Sequence, residues 1–383
     1  MDFSWTAEQL ELRASAERFA RERLDGDDLS EREREERLSP EAWRSCAEFG
    51  VLGLPVPPEL GGQGASLLDT VVVLEALGYG CRDNGLLFSV GAHLWSCVLP
   101  LLRFGTPEQK ERYLPSLCDG SRIGVQAVTE TSSGSDALAV RTTATPTPDG
   151  HYVLDGVKTF ITNAPVADLF IVLAAVPGMP PKSGLCAFLV ERDTPGVHVA
   201  APFGKMGLRT SPLSEVSFDG CRVPAEAMLG VRGSGMSVFT TTIEWERSFI
   251  LAPALGTMRR QVEECVEHAR THQRFGQPIG RNQAVSHRIA DMSVRLEAAR
   301  LLLYRLAWLK DQGKRTTSES AMVKLFVSES FVQSGMAALE TFGASGYMTG
   351  SPQERDLRDA LAGKIYSGTT DIQHNIIAGM LGM

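Results

Sequence analysis

Two polar stretches of the chain could together bind a flat heterocycle that carries a phosphate tail. Residues 128–136 read VTETSSGSD, and residues 158–163 read KTFITN. Both lie at the ends of β-rich runs and supply hydroxyls and backbone N–H groups, which suit a phosphate or the polar edge of a ring. Phe160 adds an aromatic face that can cover such a ring. Each stretch alone is equally typical of a Ser/Thr-rich β-turn, so it is the pair that favours a binding site.

The same stretches carry a family resemblance. With residues 128–136 followed by FITN at 160–163, the chain resembles the flavin-binding signature of the acyl-CoA dehydrogenase family. Further matching motifs are KMGLR at 205–209, RVP at 222–224, RFG at 274–276, QA at 283–284 and IYSGT at 365–369. The resemblance covers nearly the whole chain. It implies the acyl-CoA dehydrogenase fold and an FAD-dependent dehydrogenase that acts on an acyl thioester.

Such a reaction needs a carboxylate beside the α-carbon and a flavin beside the β-carbon. By resemblance, much of the family carries this base at the position of Ser367, and a serine hydroxyl cannot replace it. Glu246 shares one helix face with Phe239, Ile243 and Ile250, where it could also be a structural partner of an arginine. Since Glu246 falls where the isovaleryl and long-chain members carry their base, the resemblance predicts that Glu246 is the base.

The resemblance also implies two sets of FAD-binding residues. The first set would bind the flavin and its phosphate: Gln126, Val128, Thr129, Ser135, Phe160 and Thr162. The second set would complete the adenosine diphosphate site of a neighbouring subunit, with the last two residues coming from the C-terminal end: Arg270, His272, Arg274, Phe275, Gln283, Glu340, Gly343, Ala344, Thr369 and Asp371.

Two positions of the second set depart from the family's pattern. His272 stands where an arginine is usual, so Arg270, His272 and Arg274 are alternatives for the contact with the pyrophosphate. Glu340 stands where glutamine is common, and an acid disfavours a nearby phosphate unless it points away. Together with Ser367, these departures leave open a scaffold protein that has kept the fold and lost the chemistry.

A narrower resemblance is to the members that oxidise a prolyl group tethered to a peptidyl carrier protein. It depends on RDNGL at 82–86, FITNAP at 160–165, WE at 245–246 and IYSGT at 365–369. It implies oxidation of L-prolyl to pyrrolyl, a carrier protein as partner, and an electron-transfer flavoprotein or oxygen as electron acceptor. A free acyl-CoA or another carrier-bound acyl group is the alternative substrate. A cofactor site shared between subunits implies a homo-oligomer, and we expect a tetramer.

Hydrophobic periodicity divides the chain into three parts and predicts an α+β protein. Residues 1–122 have helical spacing, with helices near 8–23, 40–49 and 67–79, and a charged run at 31–37 that is typical of a solvated helix face or mobile loop. Residues 123–232 predict a β-domain with strands at 124–129, 140–145, 152–162, 169–176, 185–191 and 213–218, and hairpin turns at 149–150 and 155–156. Residues 233–383 predict a four-helix bundle.

Composition argues against several classes of function. Lys and Arg total 38 against 46 Asp and Glu, a net charge of −8, and no basic stripe alternates with aromatic residues, so nucleic acid is not expected as a partner. We find no signal-like N-terminal run and no apolar segment long enough to cross a membrane, which predicts a cytoplasmic location. The 7 cysteines lack the spacing of metal ligands, so we expect buried free thiols and no metal.

Overall fold

The computed structural model describes residues 4–26, 28–137, 139–180 and 183–383. Over these residues the chain is helical up to Cys118, forms a sheet between Gly124 and Leu229, and is mainly helical from Gly235 onward. The predicted order of a helical, a β and a second helical part is therefore confirmed. The predicted domain limits of 1–122, 123–232 and 233–383 stay predictions.

The N-terminal part is built from helices whose starts are capped by hydroxyl side chains. Thr6 and Thr106 form capping boxes with Gln9 and Gln109, which satisfy backbone N–H groups that have no partner within the helix. The predicted helices at 8–23, 40–49 and 67–79 agree with the structure to within one residue at each end. The helices are α1 (Ala7–Arg23), α2 (Leu29–Glu35), α3 (Pro40–Glu48), α4 (Leu67–Gly80), α5 (Asn84–His93), α6 (Leu99–Phe104) and α7 (Pro107–Cys118).

The middle part is one mixed sheet. Its strands are β1 (Gly124–Ala127), β2 (Thr143–Pro146), β3 (Tyr152–Thr162), β4 (Leu169–Ala175), β5 (Leu185–Glu191), β6 (Val197–Val199), β7 (Leu213–Val223) and β8 (Met228–Leu229). They follow the order β6-β7-β3-β2-β4-β5-β8, and β1 pairs in parallel with β4. The continuous apolar runs of β4 and β5 are buried along nearly their whole length, which is typical of strands covered on both faces.

Some predicted features of the sheet were wrong. Residues 155–156 do not turn but lie within β3, at a register shift against β7 where Gly156 has a φ of 153° and lies against Thr142. A β-carbon at Gly156 would lie 2.4 Å from the Thr142 hydroxyl oxygen, so glycine marks a close approach here instead of a turn. The short strands β6 and β8 were missed because partners at the sheet edge define them, not their own sequence pattern.

The C-terminal part is a helical bundle around one central helix. Its elements are α8 (Gly235–Phe249), α9 (Ala252–Thr271), the ribbon strands β9 (Gln273–Arg274) and β10 (Gln277–Pro278), α10 (Gln283–Asp311), α11 (Thr317–Phe342), α12 (Ala344–Tyr347), α13 (Pro352–Ala362) and α14 (Thr370–Met380). The apolar residues Met292, Leu296 and Leu303, spaced by four and seven along α10, are buried. Helix α11 packs against α8, α9, α10, α13 and α14, and it buries polar residues as well as apolar ones.

Helices α5 and α6 are joined by a π-helical turn into one helix from Asn84 to Phe104. This helix is 21 residues long with a mean hydropathy of 1.7, so the expectation that no segment is long and apolar enough to cross a membrane was wrong. In its most apolar window 83% is buried inside the protein, which is typical of a core helix. His93 joins the helix to the sheet, because its Nδ1 accepts the N–H of Gly124 at 3.0 Å. Burial lowers the pKa of His93 to about 4.

A buried cluster of polar groups, which we call the domain junction, joins the three parts. Asp83 caps α5 by accepting the N–H of Leu86 at 2.9 Å. The same carboxylate accepts hydrogen bonds from the guanidinium of Arg32 in α2 and from the hydroxyl of Thr210, which lies just before β7. The junction consists of Arg32, Asp83, Asn84, Leu208, Thr210 and Asp359.

The C-terminal part reaches the domain junction through α13. Asp359 accepts the backbone N–H of Leu208 at 2.6 Å and the side-chain amide of Asn84 at 3.1 Å. Burial raises the pKa of Asp359 to about 7. Polar groups from all three parts of the chain therefore meet in the domain junction.

The charged run at 31–37 is only partly solvated, which corrects the sequence prediction. Arg32 is 2% exposed because its guanidinium donates a hydrogen bond to the buried Asp83. Glu33 is 8% exposed because it accepts a hydrogen bond from Arg355 at 2.7 Å. The side chain of Arg34, two residues further along the same helix, is 76% exposed. Local sequence cannot separate these arginines, since the partners that bury Arg32 lie elsewhere in the chain.

We predict that Arg32→Met lowers the free energy of unfolding by about 3 kcal/mol, because it leaves the Asp83 carboxylate buried without its cation. The matched control is Arg34→Met on the same helix, for which we expect a change of about 0.5 kcal/mol or less. Urea denaturation followed by circular dichroism measures both. Equal losses in the two variants would show that the Arg32 pair does not hold the junction.

Candidate active site

The carboxylate of Glu246 is the meeting point of three distant segments. Its Oε2 accepts the hydroxyl of Ser96 at 2.6 Å, and its Oε1 accepts the hydroxyl of Ser367 at 2.5 Å. Ser96 comes from the 84–104 helix, Glu246 from α8, and Ser367 from the turn before α14. The predicted base and the serine at the family's other base position are therefore in direct contact. Hydroxyl donors of this kind stabilise the charged form of a carboxylate.

Ser96 is a site residue that the sequence analysis missed. It lies in the π-helical turn Leu94–Val98, where one extra residue per turn interrupts the α-helical spacing. Turns of this kind occur frequently at functional sites. The sequence of the segment gives no signal for it, because isolated serines in an apolar helix are an ordinary core pattern.

Ser367 is held by an unusual backbone. Its φ of 54° lies in the left-handed region, and Gly368 follows with a φ of 88°. Arg247 donates through Nε to the carbonyl oxygen of Ser367 at 3.3 Å, and Gln373 donates to the carbonyl oxygen of Gly368 at 2.7 Å. A non-glycine residue in this region costs on the order of 1 kcal/mol and persists only where its surroundings enforce it. The turn therefore fixes the direction of the Ser367 hydroxyl.

Aromatic rings adjoin each of the three residues that meet at Glu246. The rings of Trp95 and Phe249 lie 5.0 Å apart between centroids, and Trp245 lies 6.5 Å from Trp95. Tyr366 packs against Phe88 at 4.6 Å. The segments that carry Ser96, Glu246 and Ser367 are therefore packed through aromatic rings.

A buried ion pair holds the two predicted flavin-binding stretches together. Glu130 accepts a hydrogen bond from Lys158 Nζ at 2.8 Å and from the hydroxyl of Thr142 at 2.7 Å. Lys158 also donates to the carbonyl oxygen of Val128 at 3.1 Å, and the Thr159 N–H donates to the carbonyl oxygen of Thr129 at 2.8 Å. Burial lowers the pKa of Lys158 to about 8, with Glu130 opposing. The predicted pairing of these stretches is thus observed.

Phe160 is turned outward by an irregularity of the sheet. The register of β3 against β7 shifts between Lys158 and Ile161, and Phe160 has a φ of 56°. Its ring is 60% exposed although it is large and apolar. Such an exposed ring, beside polar strand ends, is the arrangement that a bound flat heterocycle would cover. The Ser133 hydroxyl in the same region is buried without a hydrogen-bond partner among the described residues. These features fit the flavin and phosphate of FAD.

Helices α5 and α8 contact the predicted flavin-binding stretches. Phe239, two turns before Glu246 on the same face of α8, packs against a small apolar cluster that contains Val128. Asn163, directly after β3, donates to the carbonyl oxygen of Ser89 at 2.9 Å, and the neighbouring Phe88 contacts Tyr366. The end of β3 and the turn before α14 therefore both contact α5. Gln126 and Thr129 lie at or beyond the end of β1, and Ser135 is exposed in the following loop.

Most of the second predicted set lies at another place in the molecule. Arg270, His272, Arg274, Phe275 and Gln283 lie on the end of α9, the ribbon and the start of α10. Phe275 is 99% exposed with a φ of 54°. His272 is half-buried, its ring 4.6 Å from that of His268, whereas Arg270 and Arg274 are exposed.

The remaining residues of that set divide between two places. Gly343 and Ala344 follow the end of α11, where Glu340 forms an ion pair with Arg288 at 3.1 Å and so points toward a cation. Thr369 instead caps α14 by accepting the N–H of Ile372 at 3.3 Å, and Asp371 lies in the first turn of that helix. Thr369 and Asp371 follow Ser367 closely in the chain, so they belong to the part of the molecule that contains Glu246.

Comparison with known proteins identifies the family. The acyl-CoA dehydrogenase N-terminal, middle and C-terminal domains match residues 6–121, 126–221 and 233–382. The chain belongs to the acyl-CoA dehydrogenase family. The predicted family and fold are thereby confirmed.

Several similar proteins carry a more specific name. A Pseudomonas fluorescens protein named L-prolyl-[peptidyl-carrier protein] dehydrogenase is 45% identical over 336 residues, 88% of each chain. The crystal structure of the prolyl acyl carrier protein oxidase AnaB is 44% identical with a TM-score of 0.96, and the match covers 99% of this chain and 100% of AnaB. The structure of PigA with FAD and proline is 42% identical with a TM-score of 0.96, covering 100% of this chain and 99% of PigA.

We predict that Ser96→Ala and Ser367→Ala each move the acidic side of the pH–rate profile about one unit toward higher pH. Each variant loses a hydrogen bond to the charged carboxylate, which is worth roughly 1.5–3 kcal/mol. Flavin reduction by a thioester substrate, measured by stopped-flow absorbance, gives the profile. Ser89→Ala is the control. Ser89 lies in the same helix as Ser96, but its hydroxyl donates to the hydroxyl of Ser211 at 2.7 Å. A profile that moves equally in all three variants would refute a specific role for the two serines.

Proposed function

We propose that this chain is an FAD-dependent dehydrogenase that oxidises an L-prolyl group, tethered as a thioester to a peptidyl carrier protein, to the pyrrolyl thioester. The observation that carries the proposal is the Glu246 carboxylate, held by two serine hydroxyls on the helix whose Phe239 packs against the cluster that contains Val128. The similar proteins named for prolyl oxidation on carrier proteins support the choice of substrate.

Glu246 is the general base in this proposal. Its carboxylate takes a proton from the α-carbon of the prolyl thioester, which is acidified by the adjacent carbonyl. Ser96 and Ser367 each bind a different carboxylate oxygen, so the group has a fixed orientation before substrate arrives. Serine at position 367 is then a positioning residue for a base on another helix, and its presence does not argue for a protein that has lost its chemistry.

FAD, when bound, would supply the hydride acceptor that the oxidation needs. Phe160 would cover one face of its ring, while Thr162 and the strand end at Gln126, Val128 and Thr129 would bind its polar edge. Ser135 would bind the phosphate. Thr369 and Asp371 would contribute from the C-terminal end. A neighbouring subunit contributes the remaining second-set residues, which explains why Phe275 stands 99% exposed on the surface of one chain.

Two rounds of oxidation convert prolyl to pyrrolyl. Each round removes one proton and one hydride from the substrate, so four hydrogens and two electron pairs leave in total. The final acceptor of these electrons would be an electron-transfer flavoprotein or oxygen. Glu246 must return its proton to solvent between rounds, and its half-buried position allows this.

The shared cofactor site requires an oligomer, and we propose a homotetramer. Large apolar side chains on the C-terminal part support this, since Ile365 is 69% exposed, Tyr347 is 70% exposed and Leu381 is 68% exposed. The cytoplasmic location stays a prediction from the sequence.

The substrate proposal predicts a mass loss of about four hydrogens when the enzyme is incubated with a prolyl-loaded carrier protein, as expected for two flavin-dependent oxidations. Mass spectrometry of the carrier measures it, with a carrier that bears a simple acyl group and the CoA thioesters run in parallel. Turnover of an acyl-CoA without any reaction on a prolyl carrier would favour an ordinary acyl-CoA dehydrogenase. Purified protein that neither contains flavin nor takes up added FAD would refute the enzyme altogether.

We predict that Glu246→Gln abolishes turnover while FAD stays bound, because the amide keeps the shape of the side chain but cannot accept the proton. Loss of at least about a thousandfold in the rate of flavin reduction is expected for removal of a general base. The flavin spectrum and the FAD dissociation constant provide the check on binding. Glu244→Gln, two residues earlier, is the matched control, since Glu244 bonds Lys310 at 2.8 Å instead. Near-normal flavin reduction in Glu246→Gln would assign the base to another carboxylate.

A further inference from the structure

Lys324, in the middle of α11, is buried without any hydrogen-bond partner among the described residues. Its side chain is 0% exposed. An ammonium group buried without an acceptor is unfavourable by several kcal/mol, so its position needs an explanation. The sequence analysis assigned no chemistry to this helix.

Lys324 faces the site that contains Glu246. One turn earlier on the same face of α11, Ser320 accepts the hydroxyl of Ser248 in α8 at 2.9 Å, so this face packs against the helix that carries Glu246. Lys324 Nζ lies 6.0 Å from the centroid of the Tyr366 ring, next to Ser367. The ammonium therefore lies close to the ring of Tyr366, which adjoins the site.

The charged groups around Lys324 come from three elements. Arg247 and Glu246 lie on α8, Lys364 lies on the turn after α13, and Glu329 lies on α11 itself. Glu329 is already occupied, because Lys364 pairs with it at 2.9 Å. Glu329 is the stronger of the two carboxylates acting on Lys324, and Glu246 is the second, beside the cations Arg247 and Lys324.

Of these two cations only Lys324 can lose its proton near neutral pH, since a guanidinium stays charged in proteins. Burial lowers the pKa of Lys324 to about 7, with a further decrease from Arg247 and Lys364, and with Glu329 and Glu246 opposing. The positive charge of Lys324 behind Tyr366 is thus present at acidic pH and largely lost above neutral pH.

We propose that Lys324 is a positioning residue for the base: its ammonium, enclosed behind Tyr366, stabilises the Glu246 carboxylate through space and sets the pH range in which that carboxylate can accept a proton. This rests on the proposed function of Glu246. Proton transfer to Glu246 removes the negative charge that favours the ammonium, so Lys324 then releases its own proton more readily.

The test compares Lys324→Met, which keeps the length and removes the charge, with Lys324→Arg, which keeps the charge at every pH. In Lys324→Met we expect the acidic side of the pH–rate profile to move up by about one unit, which makes flavin reduction about tenfold slower there. In Lys324→Arg that side should stay in place. The wild-type inflection near pH 7 should disappear from both variants.

A second readout does not depend on turnover. Infrared difference spectra against Glu246→Gln isolate the protonated carboxyl of Glu246, and in Lys324→Met the pH of half-protonation should rise by about one unit. If the infrared midpoint moves and the rate profile does not, the coupling is real and the assignment of Glu246 as base fails. If neither moves although Glu246→Gln is inactive, Lys324 is only structural and our proposal is refuted.

Unfolding of the apoprotein identifies Lys324 as the buried titrating group. A lysine whose pKa falls from 10.5 to about 7 on folding destabilises the fold most below pH 7, and this loss is relieved as the pH rises from about 7 to 10.5. Lys324→Met should therefore melt at a higher temperature than wild type at pH 6, and the difference should shrink by pH 10. A constant difference across this range would contradict a titrating Lys324.

Discussion

The buried carboxylate of Asp83 fixes the arrangement of the N-terminal helices relative to the sheet. It holds Arg32 of α2 and Thr210 before β7, and it also caps the helix that begins at Asn84. A buried charge that loses its partner costs several kcal/mol, so the surrounding segments must meet in one arrangement. That helix carries Ser96 into the site. The position of Ser96 relative to Glu246 therefore depends on a contact three helical turns away.

In the proposed function the base is Glu246 on α8, and not the residue at position 367, where the family resemblance would place it. Ser367 donates a hydrogen bond to the carboxylate of Glu246 from a different segment of the chain. A serine that orients the base is compatible with an active enzyme. A serine that had to act as the base itself would not be. The buried cations near Glu246 are Arg247 and Lys324.

Backbone strain is concentrated in the same places. Among the described residues, the non-glycine positions with positive φ include Phe160, Asn163, Leu208, Phe275 and Ser367. Four of these lie in the predicted flavin stretches, the exposed ribbon or the turn at Glu246, and Leu208 lies in the domain junction. Strained backbone persists only where surrounding contacts enforce it, and it tends to occur where a side chain must be directed at a ligand or a catalytic group. The positions of the ligand-facing side chains thus depend on tertiary contacts.

The sequence alone determined the family, the α–β–α order and the choice of Glu246, because motifs and periodicity are local properties that survive in the linear chain. The sequence also predicted that residues 128–136 and residues 158–163 lie together in one site. It could not place Ser96, since a serine in an apolar helix looks the same whether or not a π-turn directs it at a carboxylate. It could not separate Arg32 from Arg34 or single out Lys324 within α11. Burial and charge environment are set by segments far apart in sequence, and only the tertiary structure brings them together.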